Sequence, residues 1–139
     1  GRQPAAGQLI GANACLDYGY AVLRGHLMRA VLAAGLAPAL GVFHRGRGNA
    51  FALADDLIEP FRPAIDEVAL PLPATASPSD REVKQLLVAA ASQRFDADGH
   101  GIPAVAEALA QSFGRYIEGD IDRLQVASWQ GPSRVGVGD

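Results

Sequence analysis

Cysteine is nearly missing from these 139 residues: Cys15 stands alone, so no disulfide can close within the chain. It falls in a helical pattern and reads as a buried structural thiol, compatible with a reducing compartment. Aromatic residues make up only 6% while alanine is abundant, which favours closely packed helices over a sheet. No run of about 18 apolar residues occurs, so no membrane span is predicted. The opening "GRQPAAGQLIGAN" has neither a starting methionine nor the apolar core of a signal peptide. It is read as the edge of a longer protein or as a linker over residues 1–12. The charge is also uneven. No acidic residue lies between Tyr18 and Ala54, a stretch that holds Arg24, Arg29, Arg45 and Arg47, whereas Asp96, Asp98, Glu107, Glu118, Asp120, Asp122 and Asp139 all follow residue 95. The net charge of −3 argues against a free-standing nucleic-acid binder, but a local basic strip can still meet phosphates.

What is present suffices for one globular domain, with 49% hydrophobic and 19% charged residues. Leu16, Tyr20, Leu23, Leu27 and Val31 recur every three or four residues and form one apolar stripe. They predict a helix over roughly 13–34, capped by Asn13 and stopped by Gly35 and Pro38. "LGVFHRGRGN" reads as a loop, after which Asn49 caps a helix through "AFALADDLIE". Pro60 and Pro63 end or kink it, and "FRPAIDEVAL" continues at an angle. "PLPATASPSD" is a connection. Ser79 or Asp80 caps "REVKQLLVAAASQRF", with Val83, Leu87, Ala90 and Ala91 on one face. "DADGHGIP" is a tight polar loop, and "AVAEALAQSFGRYIEGDIDRLQVASW" is a last helix interrupted near Gly114 or Gly119. Trp129 either anchors that helix or is exposed, and residues 129–139 read as a flexible tail. Tyr18, Tyr20, Phe43, Phe51 and Phe61 read as core, while His26 and His100 read as a surface and a loop residue. The fold class is all-α, a helical bundle over residues 13–128.

The chemistry concentrates in "HRGRGNAFALADDLIEPFRP", His44 to Pro63. Asp56 and Glu59 are three apart, and Asp55 and Glu59 four apart, so either pair shares a helix face. Two carboxylates on one face repel unless a cation lies between them. With His44 folded back from its loop, they form a partial shell for Mg²⁺ or Mn²⁺. Arg45, Arg47 and Arg62 flank it and are candidates for phosphate contacts.

The run "NACLDYGYAVLRGHLMRAVLAAGLAPALGVFHRGRGNAFALADDLIEPFRP" resembles the CRISPR-associated integrases of spacer acquisition, the Cas one endonuclease family. Three motifs carry the resemblance: the helix beginning at Asn13, the "AGLAPALGVFH" segment and "DLIEPFRP". They occur in family order, and the likeness extends over about residues 9–125. It is nearest to the variants found beside single-effector systems. The resemblance implies that His44 and Glu59 are metal ligands with catalytic roles, and that Asp56 is a supporting acid. It implies a Mg²⁺- or Mn²⁺-dependent DNA integrase and nuclease of the prokaryotic cytoplasm, acting in antiviral defence. A DNA 3′-hydroxyl attacks a phosphodiester at the CRISPR repeat. The implied partners are spacer-precursor and repeat DNA, a second copy of the chain, and the small Cas two protein, with no membrane. Only the C-terminal part of the family's helical catalytic domain is matched. The family's N-terminal β domain is absent, as is the glutamate ligand expected upstream, since Asp17 is the only acid before Tyr18. The chain alone is therefore expected to be inactive.

Two other readings stay open. Asp96, Asp98, Gly101 and Glu107 fall at calcium-loop positions of the EF-hand kind, although His100 and Pro103 depart from that pattern. A helical interaction domain without chemistry is the other.

Overall fold

A computed structural model describes residues 11–36, 49–117, 119 and 128–131. The described residues form an all-α bundle, as the sequence predicts. Helix α1 spans Ala12–Ala33. Helix α2, Asn49–Leu57, passes through a 3-10 turn, Glu59–Phe61, into α3, Arg62–Ala69. Helices α4, Arg81–Ser92, and α5, Ile102–Ile117, complete it. Among these residues no helix is long and apolar enough to cross a membrane.

Helix α1 is the axis and packs against each of the other four. Its predicted stripe deepens along the helix. Leu23, Leu27 and Val31 are fully buried, whereas Leu16 and Tyr20 are only partly covered. Small residues set the close spacing: Ala30, Ala54, Ala64, Ala90, Ala91, Ala106 and Ala110 are all buried, and each lets a neighbouring backbone approach. The gaps are filled by large side chains, chiefly Phe61 and Phe95, whose ring centroids lie 4.8 Å apart in a tilted pair. Cys15 is fully buried, and this burial raises its thiol pKa, in keeping with a structural role.

The element boundaries are locally argued but tertiary in detail. The cap of α1 is Gly11, not Asn13, which lies exposed inside the first turn. Gly11 takes φ +89° and donates its N–H to Ala76 O at 2.7 Å. The helix start is thus set by its tether to the 70–80 connection, which a local reading cannot see. At the other end Gly35 adopts φ +72° and donates to Leu32 O at 3.0 Å, the left-handed stop expected of it. Pro60 and Pro63 each sit in the first positions of the element they open, where a missing N–H costs nothing. Asp80 precedes α4 as predicted, though its side chain makes no capping bond. Gly114 does not interrupt α5. It lies within the helix, where a Cβ would come 3.2 Å from Leu36 Cδ2, so it permits a close approach. Gly119 is the turn, at φ +80°. Trp129 packs against the core, and Gln130 N donates to Phe95 O at 3.2 Å.

Candidate functional site

The α2–turn–α3 segment lies along the first half of α1 and leaves a cleft of about 450 Å³. From α1, Asp17, Tyr20, Ala21 and Arg24 line it, and from the opposite wall Asp55, Ile58, Glu59 and Arg62. The spacing 17, 20, 21, 24 is one helical face, so α1 alone delivers an acid, a phenol and a guanidinium to one side. The prolines that end α2 and restart the chain as α3 bring Glu59 and Arg62 to that same side.

Two ion pairs organise the cleft. Arg24 Nε donates to Asp55 Oδ1 at 2.7 Å across the two walls, both side chains being about half exposed. Such a pair contributes under about 1 kcal/mol, so it orients more than it stabilises. Arg62 donates to Glu59 Oε2 at 2.9 Å, and its guanidinium lies over the Tyr20 ring at 4.5 Å from the centroid. The Tyr20 hydroxyl in turn donates to Asp66. Its pKa is raised, first by burial and then by the bond to the Asp66 carboxylate. That of Arg62 is raised by its bonds to Glu59 and then Tyr20. Asp66, Tyr20, Arg62 and Glu59 therefore form one continuous polar chain. Tyr20, expected in the core, is half-buried: it packs against the core and also carries the Arg62 guanidinium on its ring.

The structure places the expected site residues unevenly. Glu59 is at the cleft and largely exposed, and Arg62 is paired with it. Asp56 is exposed and is not among the residues lining the cleft; Asp55 lines it instead. The reason is geometric. The helix gives way to a 3-10 turn before Glu59, and the neighbouring carboxylate four residues back meets Arg24. His44, Arg45 and Arg47 lie outside the described residues. Asp17, Asp55 and Glu59 are hard oxygen donors of the kind that Mg²⁺ and Mn²⁺ take. Three carboxylates against two arginines leave the cleft net acidic, so phosphate is not drawn in unless a cation is added. Glu59 thus fits as one ligand, but the described residues do not close a metal shell there.

One group of three potential donors does converge among the described residues: Asp96, Asp98 and His100, with ligand atoms within 4.8 Å. Asp96 is already engaged, accepting the His100 N–H and its Nδ1 at 2.8 Å each. Glu107, which a calcium loop needs as its last ligand, faces a different recess with His26 and Arg29. His26 is half buried and 2.6 Å from Arg29, and its pKa is lowered by burial and then by that charge. Its sequence context suggested only a surface residue.

Comparison with known proteins agrees with the motif order. Residues 9–84 match the family described as CRISPR associated protein Cas1. A CRISPR-associated endonuclease Cas1 of Neisseria meningitidis is 56% identical over 54 residues, 39% of this chain and 18% of that protein. One from Thermus thermophilus is 49% identical over 59 residues, 42% of this chain and 19% of that protein. One from Pyrobaculum aerophilum is 29% identical over 109 residues, 76% of this chain and 37% of that protein. The matched segment spans well under half of each relative's length. No solved structure matches the chain significantly. With more than half its residues matching the family, and the cleft-forming segment inside the match, the chain belongs to the CRISPR-associated Cas1 family.

Proposed function

We propose that the chain contributes the C-terminal part of a metal-dependent DNA endonuclease and integrase that inserts new spacers into a CRISPR array. The observation that supports this most is the Glu59 carboxylate, exposed at the mouth of a net-acidic cleft and steadied by Arg62. His44 and Glu59 would hold Mg²⁺ or Mn²⁺, with Asp56 as a nearby supporting acid. Bound there, the ion supplies charge stabilisation for a phosphate oxygen and lowers the proton affinity of an attacking hydroxyl. Arg62 and Arg24 then place guanidinium donors beside the phosphate, and Tyr20 keeps Arg62 from swinging into solvent. Arg45 and Arg47 are proposed as further phosphate contacts. The substrates proposed are spacer-precursor and repeat DNA. A second copy and the small Cas2 protein are proposed as partners, in the prokaryotic cytoplasm.

Calorimetry with Mn²⁺ tests the assignment on this chain and on His44→Ala and Glu59→Ala, with Ca²⁺ as a control. Weak Mn²⁺ binding that disappears in both variants is expected. Binding indifferent to both substitutions would sink the ligand assignment. Ca²⁺ binding abolished by Asp96→Ala would transfer the metal site to the 96–100 loop.

A further inference from the structure

Glu59 has two claims on it in the cleft. It is a candidate metal ligand, and its Oε2 already accepts a bond from Arg62 at 2.9 Å. Arg62 in turn has two holds of unequal strength. The hold on Glu59 joins two solvent-facing ends, the side chains being 63% and 44% exposed, so this pair is weak. The other hold is the Tyr20 ring, 4.5 Å from the guanidinium. Tyr20 is itself anchored, because it packs against the core and its hydroxyl donates to Asp66. Pro60 and Pro63 stiffen the backbone between the two side chains, at the starts of the 3-10 turn and of α3. A new partner on Glu59 therefore rearranges side chains alone, and Arg62 gives up Glu59 before it gives up Tyr20.

We infer, resting on the metal-dependent function proposed above, that Arg62 is an exchangeable counterion of Glu59. It neutralises the carboxylate until a divalent cation binds there, and is then released, still seated on Tyr20, to meet a DNA phosphate. Charge requires the exchange. A guanidinium and a divalent cation on one carboxylate face each other across a few ångströms, and their repulsion outweighs an exposed ion pair. The balance of the cleft changes with it. Asp17, Asp55 and Glu59 outnumber Arg24 and Arg62, so the cleft repels phosphate as it stands. A divalent cation reverses that sign and frees a planar donor fork suited to phosphate oxygens. Metal and DNA are then coupled through one side chain, each tightening the other. A positively charged side chain that only steadied Glu59 would have the opposite effect on removal, since metal would bind a less ordered ligand.

Two binding measurements on the full chain test this. MnCl₂ binding is followed by the spin-resonance signal of free Mn²⁺. Binding of a duplex with single-stranded ends is followed by fluorescence anisotropy, in EDTA and in Mn²⁺. Arg62→Ala, which removes the competitor, is expected to bind Mn²⁺ alone about threefold tighter and to lose most of the gain in DNA affinity that Mn²⁺ brings. Glu59→Gln releases Arg62 without any metal, so in EDTA it should bind the duplex about threefold tighter than the parent. In Glu59→Gln/Arg62→Ala that gain should vanish, which separates a freed arginine from the mere loss of a negative charge. Mn²⁺ binding no tighter in Arg62→Ala than in the parent overturns the exchange, as does a Glu59→Gln gain equally large with and without Arg62. If Glu59→Gln abolishes Mn²⁺ binding in either case, the ligand assignment survives and only the exchange falls. Mn²⁺ binding indifferent to Glu59→Gln removes both.

Discussion

Gly19 shows how much one missing methyl can carry. It lies mid-helix in α1, where glycine forfeits about 1 kcal/mol relative to alanine, and it is buried against Ile65 of α3. A Cβ there would stand 2.5 Å from Ile65 Cγ2, part of a stiff β-branched side chain with no exposure. For Gly19→Ala the propensity gain is outweighed by overpacking of about 1–3 kcal/mol. A net loss of about 1 kcal/mol is expected, rising to about 3 kcal/mol for Gly19→Val, read as a falling urea midpoint. An unchanged midpoint in Gly19→Val would show that α1 and α3 part freely. The sequence displays a glycine inside "CLDYGYAVL", but only the crossing of two helices explains it. Glu59 is the opposite case. Its motif singled it out, and the structure adds its Arg62 partner. The Asp55–Arg24 pair and the Arg62–Tyr20 stack are not legible in local spacing, because each depends on which residue the opposite wall brings to α1.

At the scale of elements, the turn between α4 and α5 carries a pH dependence. Asp96 accepts the His100 N–H, and this bond holds its carboxyl below the ordinary value of 3.8. The unfolded chain then binds a proton more readily than the folded one does. The stabilisation is complete above 3.8 and is lost as pH falls through the lower folded value. Asp96→Ala should therefore lower the melting temperature at neutral pH, and the difference from the parent should shrink as pH drops below 3.8. A difference that persists undiminished in acid would assign the loss to something other than this carboxylate. Helix existence was legible here because apolar spacing and prolines are local signals. The start of α1 was not, since Gly11 is held by Ala76; of the two glycines read as breaks in the last helix, Gly119 is the turn, whereas Gly114 permits a close approach to Leu36.

Across the whole molecule, a net charge of −3 coexists with two arginines, Arg24 and Arg62, on the walls of a cleft that is itself net acidic. If the proposed DNA role holds, affinity for a duplex with single-stranded ends should fall steeply with salt. Arg62→Ala should reduce the slope of log affinity against log salt by about 1. Arg115, exposed on α5 and outside the cleft, should leave that slope unchanged when replaced by alanine. Fluorescence anisotropy over a salt series reads both. Equal slopes for the parent and Arg62→Ala would remove Arg62 from the phosphate path.

The residue string by itself determined the all-α class, the order of the helices, the family and Glu59 as a candidate ligand. All of these rest on periodicity, proline and glycine chemistry, or motif order along the chain. The tertiary structure alone decided that Asp55 rather than Asp56 lines the cleft, that Tyr20 supports Arg62, and that Trp129 packs against the core. These depend on which face of one helix meets which face of another. That is a property of packing between residues tens of positions apart, and no local spacing encodes it.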